Sequence, residues 1–148
     1  MSYVIDLPDL PTWNANSRGH WSQRASEVSA WRMVARQAAN RAGIPPLDVV
    51  FVELEMTPAD MRRRDPDNLA GALKPILDGI VDAGVIPDDS FRHVAGVALS
   101  IARPDKTLRE HRWRLTIDVL DVDPLLPDAI TEIVVPIVRK RDGRAANA

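Results

Sequence analysis

Apolar and polar residues recur along this chain with two different periods. "YVIDL", residues 3–7, is a short β-branched run that ends at Pro8 and reads as a strand. "PDLPTWNANSRGHW", residues 8–21, carries two prolines, two asparagines and a glycine, the composition of a loop. From Ser22 to Ala42 the period lengthens to that of a helix. Val28, Trp31, Ala35, Ala38 and Ala42 recur at spacings of three and four, and Gly43 supplies a stop. Trp31 is expected in the core rather than at a binding surface. Arg32, Arg36 and Asn40 fall on a separate edge of the same helix. "LDVVFVELEM", residues 47–56, is rich in β-branched residues and predicts a second strand.

The next periodic stretch starts near Asp67. At 100° per residue, Leu69, Leu73, Ile76, Leu77 and Ile80 fall between about 180° and 280°, an apolar stripe for the core. Asp67, Lys74 and Asp78 fall at about 0°, 340° and 20°, a single polar edge. Pro75 removes a backbone donor and is expected either to kink this helix or to mark its start at Lys74–Pro75. "DAGVIPDDS", residues 82–90, reads as a stop and a turn. Residues 91–102 and 112–120 predict two strands joined by a polar turn over 104–110. The order β-α-β-α-β-β predicts one small α/β domain over residues 1–120, a mixed sheet with helices packed on it. Residues 121–148 form a C-terminal extension with a linker-like start, an apolar middle and a charged end expected to be disordered.

Composition narrows the chemistry. The 148 residues are 45% hydrophobic, enough for a sizeable core, and the absence of cysteine removes disulfides, thiolate metal sites and cysteine nucleophiles. No secretory-type start and no run of eighteen apolar residues occurs, so no membrane partner is expected, and the expected compartment is the cytoplasm of a bacterial or phage-infected cell. Neither GxxxxGK nor GxGxxG occurs, so no nucleotide cofactor is expected. His20, His93 and His111 lack metal-ligand spacing and read as bystanders. The net charge is −2, but it is segregated. Residues 11–41 carry Arg18, Arg24, Arg32, Arg36 and Arg41 against Glu27, while residues 43–60 carry four carboxylates and no lysine or arginine. That segregation leaves room for a basic face on a mildly acidic protein.

The candidate chemistry sits in "MRRRDPDNLAGALK", residues 61–74, and "PDDS", residues 87–90. Asp65 and Asp67 precede the helix, and Asp88 and Asp89 follow it, so the fold could bring the two pairs together. Clustered carboxylates repel one another unless a cation neutralises them. An all-oxygen set suits Mg²⁺ or Mn²⁺, which polarises a phosphate and generates hydroxide near neutral pH. Lys74 could add charge stabilisation, and Arg62, Arg63 and Arg64 would hold a phosphate backbone beside the acidic site. Taken singly, "DPDN" is also ordinary turn and N-cap chemistry, and the arginine run an ordinary solvated charge run. Glu53 and Glu55, on the preceding strand, are additional candidate ligands.

In combination, "RRRDPDNL", a lysine on the following helix, and "DAGVIPDDS" closing it resemble the RusA family of Holliday junction resolvases and RusA-like phage endonucleases. The opening strand, the loop "LPDLPTWNANSRGHW" and "WR" at residues 31–32 extend the resemblance over most of residues 3–120. The resemblance implies a dimeric α/β endonuclease that uses Mg²⁺ to cleave branched DNA. It assigns Asp65, Asp67 and Asp89 to metal binding and catalysis, with Asp88 as a further ligand and Lys74 as the supporting lysine. Arg62, Arg63, Arg64, Arg18, Arg24, Arg32 and Arg36 are then expected to contact DNA. Lys74 follows the second aspartate by seven residues rather than the family's four, a shift that keeps nearly the same helical face. The apolar run "ITEIVVPIV", residues 130–138, is a candidate for part of the dimer interface. The competing readings are a DNA-binding protein of the same fold without cleavage, a structural or interaction domain whose acidic turns are coincidental and lie far apart in space, and a nuclease for flaps or forks.

Overall fold

The computed structural model describes residues 1–10 and 21–121. Arg18, His20, residues 122–148 and the run 130–138 therefore lie outside the described residues. Strand β1 spans Ser2–Leu7, helix α1 Trp21–Ala42 and strand β2 Val50–Thr57. A single 3₁₀ turn, Pro66–Leu69, leads into helix α2, Ala70–Asp82, and strands β3 and β4 follow at Val94–Ile101 and Arg112–Val119. The element order matches the expected β-α-β-α-β-β, and the domain is α/β.

The four strands form one mixed sheet in the order β1-β4-β2-β3. β4 runs antiparallel to both neighbours, and β2 pairs in parallel with β3. The parallel pair needs a crossover, and α2 supplies it. Strict alternation in β2 sends Val50, Val52, Leu54 and Met56 into the core. Trp113, Leu115 and Ile117 of β4 and Ile5 and Leu7 of β1 join them on the face covered by the helices. Phe51, Glu53 and Glu55 point to the other face, where Glu53 accepts a hydrogen bond of 3.0 Å from the Ser100 hydroxyl.

The expected apolar stripe of α2 is buried in full: Leu69, Leu73, Ile76, Leu77 and Ile80 all belong to the core. α1 differs. Trp31, Ala35 and Ala38 are buried, but Val28 is 42% exposed and Ala42 is exposed. Its periodic pattern is longer than the surface it covers. Trp31 meets Trp113 edge to face, ring centroids 5.0 Å apart, tying α1 to the centre of the sheet.

Pro75 lies inside α2 rather than at its start. Its ring occupies a core position, and the residue four back, whose carbonyl the ring opposes, is Gly71. The 3₁₀ turn brings the chain into helical geometry earlier than a helix starting at Pro75 would. At the other end Gly84 takes φ 76°, which a residue with a side chain adopts only under strain. The Val85 N–H donates to the Ile80 carbonyl and the Gly84 N–H to the Val81 carbonyl, the paired bonds of a Schellman stop. This stop turns the chain into the acidic loop 87–90.

The two helices pack tightly against each other at Gly79. A Cβ there would lie 2.3 Å from the Arg32 carbonyl oxygen and 2.8 Å from the Ala35 Cβ. Only a glycine permits this contact, since the nearest obstacle is backbone. Gly79→Ala gains helix propensity but forces the helices apart. Urea unfolding is expected to show a net loss of about 1–3 kcal/mol, the range for overpacked cores.

Candidate metal and nucleic-acid site

The 3₁₀ turn and the first half of α2 carry one end of the site. Asp65 occupies the N-cap position in an extended conformation, φ −108° and ψ 137°, yet its side chain makes no capping hydrogen bond. The ordinary turn reading of "DPDN" is therefore only partly realised: the Asn68 N–H bonds the Asp65 carbonyl at 3.1 Å, and the carboxylate stays outside that arrangement. It is 59% exposed, with the Arg63 Nε 3.7 Å away. Asp67, in the first turn of the 3₁₀ segment, is exposed.

The other end is built on Lys74. Its ammonium donates to Asp78 at 2.7 Å, one helical turn on, and also to Asp89 in the loop after the Schellman stop. These two hydrogen bonds, Asp78 first, hold the Lys74 pKa above its ordinary value. The lysine keeps the polar edge expected of it, and its long side chain ties the helix to the acidic loop. Asp88 and Asp89 diverge in role. Asp88 accepts the Ser90 N–H at 2.8 Å, a turn bond that shapes the loop, and lies 3.9 Å from the His93 Nε2. Asp89 points back to Lys74.

His93 is more than a bystander. Its Nδ1 lies 2.8 Å from the Asp48 carbonyl oxygen, and its own carbonyl accepts the Val50 N–H at 2.8 Å. It thus fastens the acidic loop to the start of β2. Nothing in the local sequence marks it, because its partners are backbone groups more than forty residues away.

The three arginines also separate. Arg64 is 20% exposed and grips Asp60 through two hydrogen bonds of 2.6 and 3.0 Å. It bonds the Arg62 carbonyl at 3.1 Å and lies 3.2 Å from the His111 Nε2. His111 in turn accepts the Ala59 N–H through Nδ1 at 3.0 Å. The His111 backbone N–H donates to Asp9 at 3.2 Å, and the Trp113 Nε1 donates to the same carboxylate at 2.9 Å. This chain of bonds braces the loop before the 3₁₀ turn against β4. The Arg64 guanidinium holds Asp60 well below the usual carboxylate range. Arg62 and Arg63 are exposed, Arg63 by 91% of its side chain. One arginine of the run is therefore part of the loop's framework, and two present their charge to solvent.

On α1, Arg32 forms a two-pronged ion pair with Asp82 of α2 at 2.5 and 2.8 Å. That pair raises the Arg32 pKa and lowers that of Asp82. Asp78 also faces Arg32 electrostatically, so a charged ridge runs from Arg32 through Asp82 and Asp78 to Lys74 and Asp89. Arg36 is exposed beside it and Arg24 half-buried.

The structure thus brings Lys74 to Asp89 and Arg63 near Asp65. It does not gather Asp65, Asp67 and Asp89 together: among the described residues no three His, Asp or Glu side chains are grouped closely enough to hold a metal ion. The donor chemistry, carboxylate oxygens alone, fits a hard divalent cation. Glu53 and Glu55 lie on the sheet face opposite the helices, away from the Lys74 edge. No helix among the described residues is long and apolar enough to cross a membrane. No protein-family model matches the chain, and no curated protein matches it.

The Asp60–Arg64 pair has a pH consequence. A depressed folded pKa contributes stability above the ordinary carboxylate value, about 3.9, and loses it as pH falls through the lower folded value. The loop is therefore expected to hold its shape through pH 4, with the Asp60 carboxyl carbon shift in NMR unchanged there. Arg64→Ala is expected to return that titration to the ordinary range and to speed amide exchange over residues 59–65, whereas Arg63→Ala leaves both unaltered.

Proposed function

We propose that the protein is a Mg²⁺-dependent, structure-specific DNA endonuclease that cleaves branched DNA, with the Holliday junction as its substrate. The observation that carries this reading is the Lys74–Asp89 pair, which links the helix that begins at "DPDN" to the "DD" loop that ends it. It joins two of the three elements on which the resemblance to the RusA family rests, the lysine on the helix and the aspartate after it; the third is the aspartate pair that precedes that helix.

Mg²⁺, with Mn²⁺ as a substitute, supplies Lewis acidity and a hydroxide nucleophile when bound. Asp65, Asp67 and Asp89 are the residues that would hold it, with Asp88 beside them. Lys74 neutralises Asp89 in the free protein. With a cation bound, Lys74 would add positive charge that stabilises the charge building on a phosphate. Arg62 and Arg63 neutralise the neighbouring phosphates that an acidic site would otherwise repel. Arg64 acts indirectly, by holding the loop that presents them. We further propose a symmetric homodimer, because resolving a junction takes two nicks and each chain supplies one site.

The test is cleavage of a matched panel of four-way, forked, flapped and linear DNAs. Asp67→Asn and Asp89→Asn are expected to lower cleavage by orders of magnitude while binding in EDTA survives. Arg62→Ala with Arg63→Ala is expected to weaken binding and to reduce the slope of log K against log salt by about one unit for each phosphate that is no longer neutralised. Binding to branched DNA with no Mg²⁺-dependent cleavage by the wild type would assign the chain to the non-cleaving class. Preference for forks or flaps would change the substrate, and binding lost in Asp67→Asn but kept in the arginine variant would contradict the division of labour.

A further inference from the structure

The acidic loop ends in a turn that is fixed on both sides and open at its tip. The His93 N–H donates to the Ser90 carbonyl at 3.0 Å and the Val94 N–H to the same carbonyl at 2.9 Å, so Ser90–His93 is a closed four-residue turn. Before it, Asp88 accepts the Ser90 N–H. After it, the His93 ring lies 2.8 Å from the Asp48 carbonyl oxygen and the His93 carbonyl accepts the Val50 N–H, which ties the turn to the start of β2. Phe91 and Arg92 occupy its two central positions.

Neither side chain serves the turn or the core. Turn positions favour residues that help the backbone bend, such as proline, glycine, asparagine, aspartate and serine. Phe91 is 64% exposed and lies outside the core cluster. Arg92 is exposed as well. Its charge reaches Asp88, but the close ionic contacts of Asp88 and Asp89 go to His93 and Lys74.

An aromatic ring beside a guanidinium suits an unstacked nucleic-acid base. Every base has a π-face to lay on the ring, and the cation can meet the neighbouring phosphate. A turn already held in shape gives up little freedom on binding. Asp89 is two residues from Phe91, which keeps their Cα atoms within about 7 Å. At a rise of about 3.4 Å per nucleotide in a strand, a base on Phe91 would lie within a few nucleotides of a phosphate at Asp89. In a continuous duplex each base is covered by its neighbours, whereas a branch point interrupts the stack.

We propose that Phe91 stacks on an unstacked base at the branch point of DNA and that Arg92 contacts the adjoining phosphate, so that this turn discriminates branched DNA from continuous duplex. The proposal rests on the DNA-endonuclease reading and adds to it the residue that senses the branch.

The test is equilibrium binding of the full chain, in EDTA, to a four-way junction and to a duplex of the same sequence. Phe91→Ala and Phe91→Leu are expected to weaken junction binding about tenfold while duplex binding stays within about twofold of the wild type. Phe91→Trp keeps a π-face and is expected to retain junction binding. Leucine is apolar without one, so it separates stacking from hydrophobic contact. Arg92→Ala is expected to weaken binding to both DNAs and to lower the slope of log K against log salt by about one unit. Junction binding unchanged in the alanine and leucine variants, or equal losses on both DNAs, overturns the proposal. So does a lowered urea midpoint in Phe91→Leu, which would make the ring structural, or a changed mass in light scattering, which would place a second copy on the turn. A wild type that binds neither DNA overturns it too. Binding that depends on Phe91 without Mg²⁺-dependent cleavage would overturn the nuclease reading and leave the stacking role standing. Junction cleavage and binding indifferent to Phe91 would do the reverse.

Discussion

The contact on which the arrangement depends is the close crossing of α1 over α2 at Gly79. Arg32 and Ala35 press their backbone and Cβ onto the one position of α2 that has no side chain at the crossing. The same crossing brings the Arg32 guanidinium to Asp82 and seats Trp31 against Trp113. It therefore fixes both the height of the helix layer above the sheet and the rotation of α2 about its axis. With Leu73, Ile76, Leu77 and Ile80 turned inward, Lys74 and Asp78 can only face outward. The charged edge is the geometric remainder of a well-buried one.

That remainder explains how residues distant in sequence meet. Lys74 is held by Asp78 within its own helix and by Asp89 across the turn. The Schellman stop at Gly84 reverses the chain so that the acidic loop folds back along α2. Asp88 and His93 then shape and anchor that loop, leaving Asp89 for the lysine. At the other end of the helix, Arg64, Asp60 and His111 brace the loop that presents Arg62, Arg63 and Asp65. Each acidic motif thus has one member or neighbour committed to structure and another left exposed. The proposed chemistry falls to Asp65 and Asp67, which are exposed, and to Asp89, which is half-buried against Lys74.

Much of this is legible in the chain. The period of "NLAGALKPILDGI" reveals both the core stripe and the polar edge of α2, because burial selects at helical spacing. The alternation in "VFVELEMT" and "RWRLTIDV" marks the two central strands. Three features are not legible. Pro75 suggests a kink or a late start, yet it sits within α2 opposite Gly71, a tertiary accommodation that local propensity does not capture. Arg64 looks like its neighbours Arg62 and Arg63, and only its partners Asp60 and His111 separate it from them. His93 and His111 look incidental because their partners, at Asp48 and Ala59, are backbone groups brought near by the sheet. The ends of α1 fall short of their pattern for a related reason: periodicity reports a face, not how much of that face finds something to cover.

The account's central proposal is that one cation is shared by the two acidic motifs at the ends of α2, which this structure does not gather into a single group. The most direct measurement is a Mg²⁺ titration of the full chain followed by the side-chain carboxyl carbon resonances. The account predicts that Asp65, Asp67 and Asp89 shift together along one binding curve while Glu53 and Glu55, on the opposite sheet face, stay still. Separate curves for Asp89 and for the Asp65–Asp67 pair, or no shift at any of the three, would contradict it.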